Sequence, residues 1–381
     1  MRKLPHTYLV LALMLIPYHI WGQIAASDTL YSKAITGDTA AQLQLGAEYE
    51  NGENKRIKDY GSAMKWYRKA ADAGNATAQN HVGRLYEHGL SVAADDKEAI
   101  KWYRMSAAQH LPAGMWSLAG MYEQGHGTSV NYAEAMRLYK SACEMKYGPG
   151  CVNTGLMYER GLGVIKNDEE AVKWYRKAAE AGDANGQRML AWMLEHGQGT
   201  KADSTEALLW YRRAAHMDET GAQTNLGRWH YFGIGPLPVN YHEAEYWFHK
   251  AAHGGNVLAM YILAQMHESG IGDEVEQDYY DALELYTEAA KKHHKGAQYR
   301  LGKMYETGKG TPPAPDKAAQ WYEKAAKAGE MNAACALGMM YYEGRGVAED
   351  KQRGMQLLQQ AAAAGVAEAS KYIQARKTTG N

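Results

Sequence analysis

Hydrophobic and small positions recur in nine blocks along this chain, and each block reads as two amphipathic helices. The first helix is marked by a small residue at its centre. These markers are Gly46, Gly83, Ala119, Gly155, Ala191, Gly227, Ala264, Gly302 and Gly338, spaced 36 to 38 residues apart. Five positions before each marker stands another Ala or Gly, from Ala41 and Ala78 through to Ala333. A leucine-type residue precedes the marker, except at Thr154, and a large residue such as Tyr49, Tyr122 or His267 follows three later. The spacing puts the large side chains on one helical face, while the small pair lets a neighbouring backbone approach. So regular a period is the mark of stacked repeats.

The second helix carries an alanine and then an aromatic pair, as in Ala63 with Trp66-Tyr67 and Ala318 with Trp321-Tyr322. An Ala-Ala pair and usually a glycine end it, as in Ala70-Ala71 and Gly74, where a helix C-terminus favours positive φ. Pro112 and Pro149 are read as opening helices, and Pro236, Pro238, Pro312, Pro313 and Pro315 as loop residues.

The motif Ala297-x-x-x-Leu301-Gly302-x-x-Tyr305-x-x-Gly308-x-Gly310, followed by Ala318-x-x-Trp321-Tyr322-x-Lys324-Ala325-Ala326-x-x-Gly329, resembles the Sel1-like repeat family. The resemblance implies an all-α fold: a right-handed α/α solenoid of nine helix-turn-helix repeats, similar to tetratricopeptide arrays. Repeats are expected over 37–365, after a lead-in at 27–36. A capping helix from Val366 to Arg376 and a short tail are expected over 366–381. Repeat six departs at Pro236-Leu237-Pro238, and repeat nine has Leu357-Leu358 in place of the aromatic pair.

Residues 1–26 read as a secretory signal peptide: Arg2 and Lys3, an apolar run from Tyr8 to Ile16, Pro17, then the small residues Gly22, Ala25 and Ala26. The run is shorter than the roughly 20 residues of a membrane span. No stable span is expected after cleavage, and an uncleaved anchor is the alternative. Periplasmic or secreted localisation follows. The net charge of -1, without a basic tract, argues against nucleic acid. Tyrosine and tryptophan number 28 and 10 against only 2 phenylalanines, the skew of one template copied many times.

Cys143 ends one second helix and Cys151 begins the next first helix, a segment that resembles the cysteine-rich secreted Sel1-like proteins. That resemblance implies a Cys143–Cys151 disulfide, with two buried free thiols as the alternative. Cys335 is read as an apolar packing residue.

Motifs that look chemical reduce to structure. Seven Gly-x-Gly turns lie between helices, without the preceding strand that a nucleotide loop needs. Ser62-Ala63-Met64-Lys65 matches a Ser-x-x-Lys pattern, yet Ser62 aligns with Glu98, Glu134 and Glu170 in the first turn of other repeats. His249 and His253, at i and i+4, lack a third ligand. The recurring Glu50, Glu87, Glu123, Glu159, Glu195, Glu268 and Glu306 read as a repeat feature, a turn acceptor. Basic pairs such as Arg68-Lys69 read as a solvated outer face. No catalytic residue, cofactor or metal site is predicted.

In a solenoid the unrepeated positions face partners. Two such positions lie three before and one after the marker, on one helical face that is expected to be concave. They present Arg84, Trp116, Arg188, Trp192, Arg228, Tyr261, Tyr299 and Lys303, rich in the residue types of binding hot spots. An acidic or extended segment would suit this face. The function expected is an exported, non-enzymatic scaffold or adaptor that holds a protein or peptide. The family resemblance adds two alternatives. One is a periplasmic immunity protein that neutralises a secreted toxic effector, of phospholipase type and delivered by type VI secretion. The other is a penicillin-binding or weakly β-lactamase-like protein.

Overall fold

A polar side chain opens most of the helices. The computed structural model describes residues 29–271 and 274–378; the segment read as a signal peptide lies outside them. Helix α1 (Thr29–Ile35) leads in. Nine pairs follow: α2 (Thr39–Asn51) with α3 (Tyr60–Asp72), α4 (Ala76–Glu87) with α5 (Asp96–Ala108), α6 (Pro112–Gln124) with α7 (Tyr132–Glu144), α8 (Gly148–Arg160) with α9 (Asp168–Glu180), and α10 (Ala184–His196) with α11 (Ser204–His216). Then come α12 (Thr220–Phe232) with α13 (Tyr241–His253), α14 (Val257–Ser269) with α15 (Tyr279–Lys291), α16 (Lys295–Thr307) with α17 (Pro315–Lys327), and α18 (Met331–Glu343) with α19 (Lys351–Ala363). Helix α20 (Ala367–Thr378) closes the array. Asp or Asn caps eight of the nine second helices, for example Asp59, Asn131, Asp203 and Asp350, each side chain accepting from the first turn. The ninth, α17, starts with Pro315 at its first position, so Pro315 is a helix opener and not the loop residue expected.

Two compact units divide the chain, one running to Gly186 with Gln198–Thr200, the other formed by Gln187–Gly197 and Lys201 onward. In the first unit each helix from α1 to α8 packs on its successor, and in the second each from α11 to α19 does the same. The architecture is an α/α solenoid of helix-turn-helix repeats. Among the described residues no strand forms; Ile271 and Val275 make an isolated antiparallel bridge.

The period has a steric cause. Eight of the nine second helices send one large ring under the first-helix marker, with Tyr67, Tyr103, Tyr139, Tyr175, Tyr211, Phe248, Tyr286 and Tyr322 all buried, and α19 sends the buried Leu358 instead. A Cβ on Gly83 would lie 2.7 Å from the Tyr103 ring, which is why glycine suits that position. The partner residue of the pair is capped from outside. Lys69 lies over Trp66 at 4.5 Å, Lys177 over Trp174 at 3.9 Å and Lys324 over Trp321 at 4.1 Å. The second base of each pair therefore covers an indole while remaining exposed on the outer face.

Buried phenols need acceptors. Tyr67 donates to Glu50 at 2.9 Å, Tyr139 to Glu123 at 2.8 Å, Tyr211 to Glu195 at 2.8 Å, Tyr286 to Glu268 at 2.8 Å and Tyr322 to Glu306 at 2.8 Å. Tyr103 and Tyr175 donate likewise to Glu87 and Glu159. The recurring glutamate is thus the phenol's acceptor, not a turn acceptor. Burial first, and the adjacent carboxylate second, push the Tyr139 and Tyr211 phenols far above their ordinary range, so they remain donors.

Another bolt joins successive repeats. Gln42, Gln79, Gln223 and Gln298 each donate a side-chain amide to a backbone carbonyl eight residues earlier, at Ala34, Ala71, Ala215 and Ala290, over 3.0 to 3.2 Å. In repeat four the same two positions are Cys151 and Cys143, which form a disulfide with Cα atoms 4.6 Å apart. The covalent link stands where other repeats use a hydrogen bond. Cys335 is buried, and desolvation pushes its thiol up to about 11.

Loop glycines complete the packing. Gly308 and Gly310 both have positive φ, and a Cβ on Gly310 would come within 2.2 Å of the Tyr279 carbonyl oxygen at the start of α15. The Gly-x-Gly turns are therefore docking points between repeats.

Candidate functional site

The residues expected on a free inner face are mostly engaged with a neighbouring repeat. In the first unit Arg84 bonds Glu50, the acceptor of Tyr67. Trp116 donates from its indole to Asn153 at 3.0 Å and meets the Tyr147 ring edge-on. In the second unit Arg228 bonds Glu195, the acceptor of Tyr211. Arg188 pairs with Glu219 at 3.3 Å, and Trp192 stacks on His196 at 4.3 Å. Tyr261 lies against His294 and Tyr286, and Tyr299 against Tyr322. Both tyrosines are half-buried. Other members of the position three before the marker, Val152, Thr224 and Cys335, are buried. That position is a packing position, because its side chains reach toward the next repeat. Lys303 is exposed and has no ion pair among the described residues.

The position one after the marker behaves differently. Arg228, Gln265 and Lys303, on α12, α14 and α16, line one cavity of about 690 Å³ within the second unit. Buried Phe248, Met266 and Met304 supply apolar lining, joined by Ile262, Tyr231, Phe232 and Tyr279. Arg228, Arg300, Lys303 and Lys309 bring four cations against one carboxylate, Glu268. Arg228 and Arg300 have partners in Glu195 and, at 3.6 Å, Glu268. Burial opposes the charge on Arg300, and the Glu268 carboxylate opposes that penalty and favours the charged guanidinium. Lys309 lies over the Tyr279 ring at 4.8 Å.

The repeat pattern changes where this cavity forms. Repeat six has Phe248 in place of the buried tyrosine and Tyr231 in place of its glutamate. Losing the phenol removed the need for an acceptor, and an aromatic side chain took the freed place. Both phenylalanines of the chain, Phe232 and Phe248, line the cavity. That coincidence was readable in the sequence; the roles of Arg300, Tyr279 and Lys309 were not, because they reach the cavity from a helix face and loops outside the two variable positions.

Elsewhere the chemistry-like motifs stay structural. The Ser62 hydroxyl bonds Asp59, the N-cap of α3, and holds that carboxyl below its usual range. His249 and His253 line a shallow surface hollow with Asp218 and Lys250. Among the described residues no group of three metal-ligating side chains is present, and no helix is long and apolar enough to cross a membrane.

The Sel1 repeat family matches nine consecutive segments, residues 39–75, 76–111, 112–147, 148–183, 184–219, 220–256, 257–294, 296–330 and 332–366. No curated protein matches the chain. Among solved structures, a Sel1 repeat protein from Oxalobacter formigenes is similar at 30% identity, over 84% of this chain and 90% of that one, with a TM-score of 0.59. A protective antigen of uropathogenic Escherichia coli is similar at 30% identity, over 92% of this chain and 82% of that one, with a TM-score of 0.51. An immunity protein from Pseudomonas aeruginosa is 17% identical over 56% of this chain and 81% of that one, with a TM-score of 0.42, a likeness too slight to bear on function. Matched by the family from residue 39 to residue 366, and 30% identical to two of its members or fold-mates over most of their length, the chain belongs to the Sel1 repeat family.

Proposed function

We propose that this protein is an exported, non-enzymatic scaffold that holds a protein partner against the first-helix face of repeats six to eight. The observation that carries the reading is the cavity itself: cations from α12, α16 and the loop after α16 gather beside the exposed Phe232, over an apolar floor that α14 helps to build. Phe232 is 65% exposed, an apolar side chain of the kind that anchors a protein contact. The Cys143–Cys151 bridge supports export, because such bonds persist in oxidising compartments. The alternatives of toxin neutralisation and β-lactam handling have no geometric feature of their own to rest on.

The test is site-specific photo-crosslinking in the producing cell. A crosslinker at Phe232 should trap a discrete protein adduct, and one at Ile57, 84% exposed in the first unit, should not. Equal or absent adducts at the two sites would overturn the assignment. Fractionation of the same cells tests export, which fails if the protein stays in the cytoplasm with Cys143 and Cys151 open to thiol reagents.

A further inference from the structure

Resting on that reading, we propose that the repeat six-to-eight cavity takes an acidic, extended segment of the partner, which inserts an aromatic or aliphatic side chain between Tyr231, Phe232 and Tyr279. Three observations converge on this chemistry. First, the cavity exists where repeat six exchanges the phenol–carboxylate pair for Phe248 and Tyr231. In the second unit Glu195, Glu268 and Glu306 each accept a phenol at this register, so repeat six is the one among repeats five to eight that presents an apolar lining there. Second, the charge is unbalanced. Arg228 and Arg300 have carboxylate partners, but Lys303 and Lys309 have none among the described residues. An apolar ligand alone would leave that charge uncompensated. Third, the cations come from α12, from α16 and from the loop after α16, with α14 between. A partner needs acidic groups distributed along a chain to reach them all, which an extended peptide provides. Such complementarity sets specificity and association rate more than raw affinity.

The chain's own termini do not fit. Residues 1–28 carry Arg2 and Lys3 against the single acidic side chain of Asp28, and the end after Glu368 carries Lys371, Arg376 and Lys377. Both are basic and would be repelled.

Fluorescence anisotropy with the full chain provides the test. The probe is a short labelled peptide of alternating Asp and Glu with a central Trp-Leu pair. Two controls replace Trp-Leu by Gly-Ser, or every acid by Lys. The expected result is saturable binding of the probe, weaker by about tenfold or more for either control and weakening with added salt. The double variant K303E/K309E and the single variant F232D should each weaken the probe by a similar factor, with unchanged circular dichroism, because all three side chains are exposed. Equal binding of acidic and basic peptides, or binding that ignores these variants, overturns the proposal. So does concentration-dependent dimerisation abolished by F232D, which would make a second copy the occupant. If the Phe232 crosslink captures a protein while the acidic probe fails, the scaffold reading stands and this chemistry alone falls.

Discussion

The Tyr211 hydroxyl donates a 2.8 Å hydrogen bond to Glu195, and Arg228 of the following repeat bonds the same carboxylate. The pair is kept or lost as a unit along the chain. Seven repeats hold both tyrosine and glutamate, while repeats six and nine, with Phe248 and Leu358, carry Tyr231 and Tyr342 at the glutamate position. A buried carboxylate without its donor is costly, and a buried phenol without its acceptor is too. Tyr211→Phe and Glu195→Gln should each cost about 1–3 kcal/mol. The double variant should cost less than their sum, by about 1–2 kcal/mol. Urea denaturation of the four proteins measures this, and strict additivity would remove the pair as a unit of stability.

The disulfide offers a second test of the repeat logic. Its loop closure contributes about 2.5 kcal/mol, so Cys143→Ser with Cys151→Ser should lose roughly that amount. Cys143→Ala with Cys151→Gln recreates the amide-to-carbonyl bolt of Gln42, Gln79, Gln223 and Gln298. It should regain about 1 kcal/mol relative to the serine pair. Denaturation midpoints compare the two, and an equal loss in both would show that the glutamine bond does not substitute for the covalent one.

His81 gives the fold an acid-sensitive point. Its ring stacks on Tyr67 at 4.5 Å, near Glu50 and Arg84. Burial first, then the Arg84 charge, hold its imidazole below the ordinary value near 6.5, against the opposing pull of Glu50. The folded state therefore prefers neutral His81. Its contribution is fully present above the unfolded value and is lost as pH falls through the folded one. Burial shifts His230 and His294 in the same direction. The thermal midpoint should fall between pH 7 and pH 5, and His81→Phe, which keeps the stacked ring, should make the fall shallower. An unchanged slope in that variant would remove His81 from the account.

Helix pairs and period were legible because they depend on residues close in sequence, the small markers and the Trp-Tyr pair, whereas the staple was expected only through the resemblance of the Cys143–Cys151 segment to the cysteine-rich secreted Sel1-like proteins. The Tyr–Glu bond was not, although both residues were visible as recurring positions. They lie 16 to 18 residues apart on opposite helices of a hairpin, and only the pairing of helices brings them together. The two variable positions fare differently. One after the marker, Arg228, Gln265 and Lys303 do share a cavity. Three before it, Tyr261 lies against His294 at the start of the next first helix and Tyr299 against Tyr322 of its own repeat, so both rings are spent on packing.

That distinction decides which substitutions can report on binding. Arg228 looks like a surface hot spot, but its guanidinium bonds a carboxylate whose side chain is only 9% exposed. Arg228→Ala would strip a charge-assisted bond from Glu195 and should cost about 1–2 kcal/mol of stability before any partner is considered. Lys303→Ala removes an exposed, unpaired ammonium and should fall within about 0.5 kcal/mol of the parent. Denaturation curves for the two variants separate these cases. If Arg228→Ala is as stable as Lys303→Ala, the Arg228–Glu195 contact contributes nothing to the stacking of repeats five and six, and Arg228 returns to the pool of residues free to meet a partner.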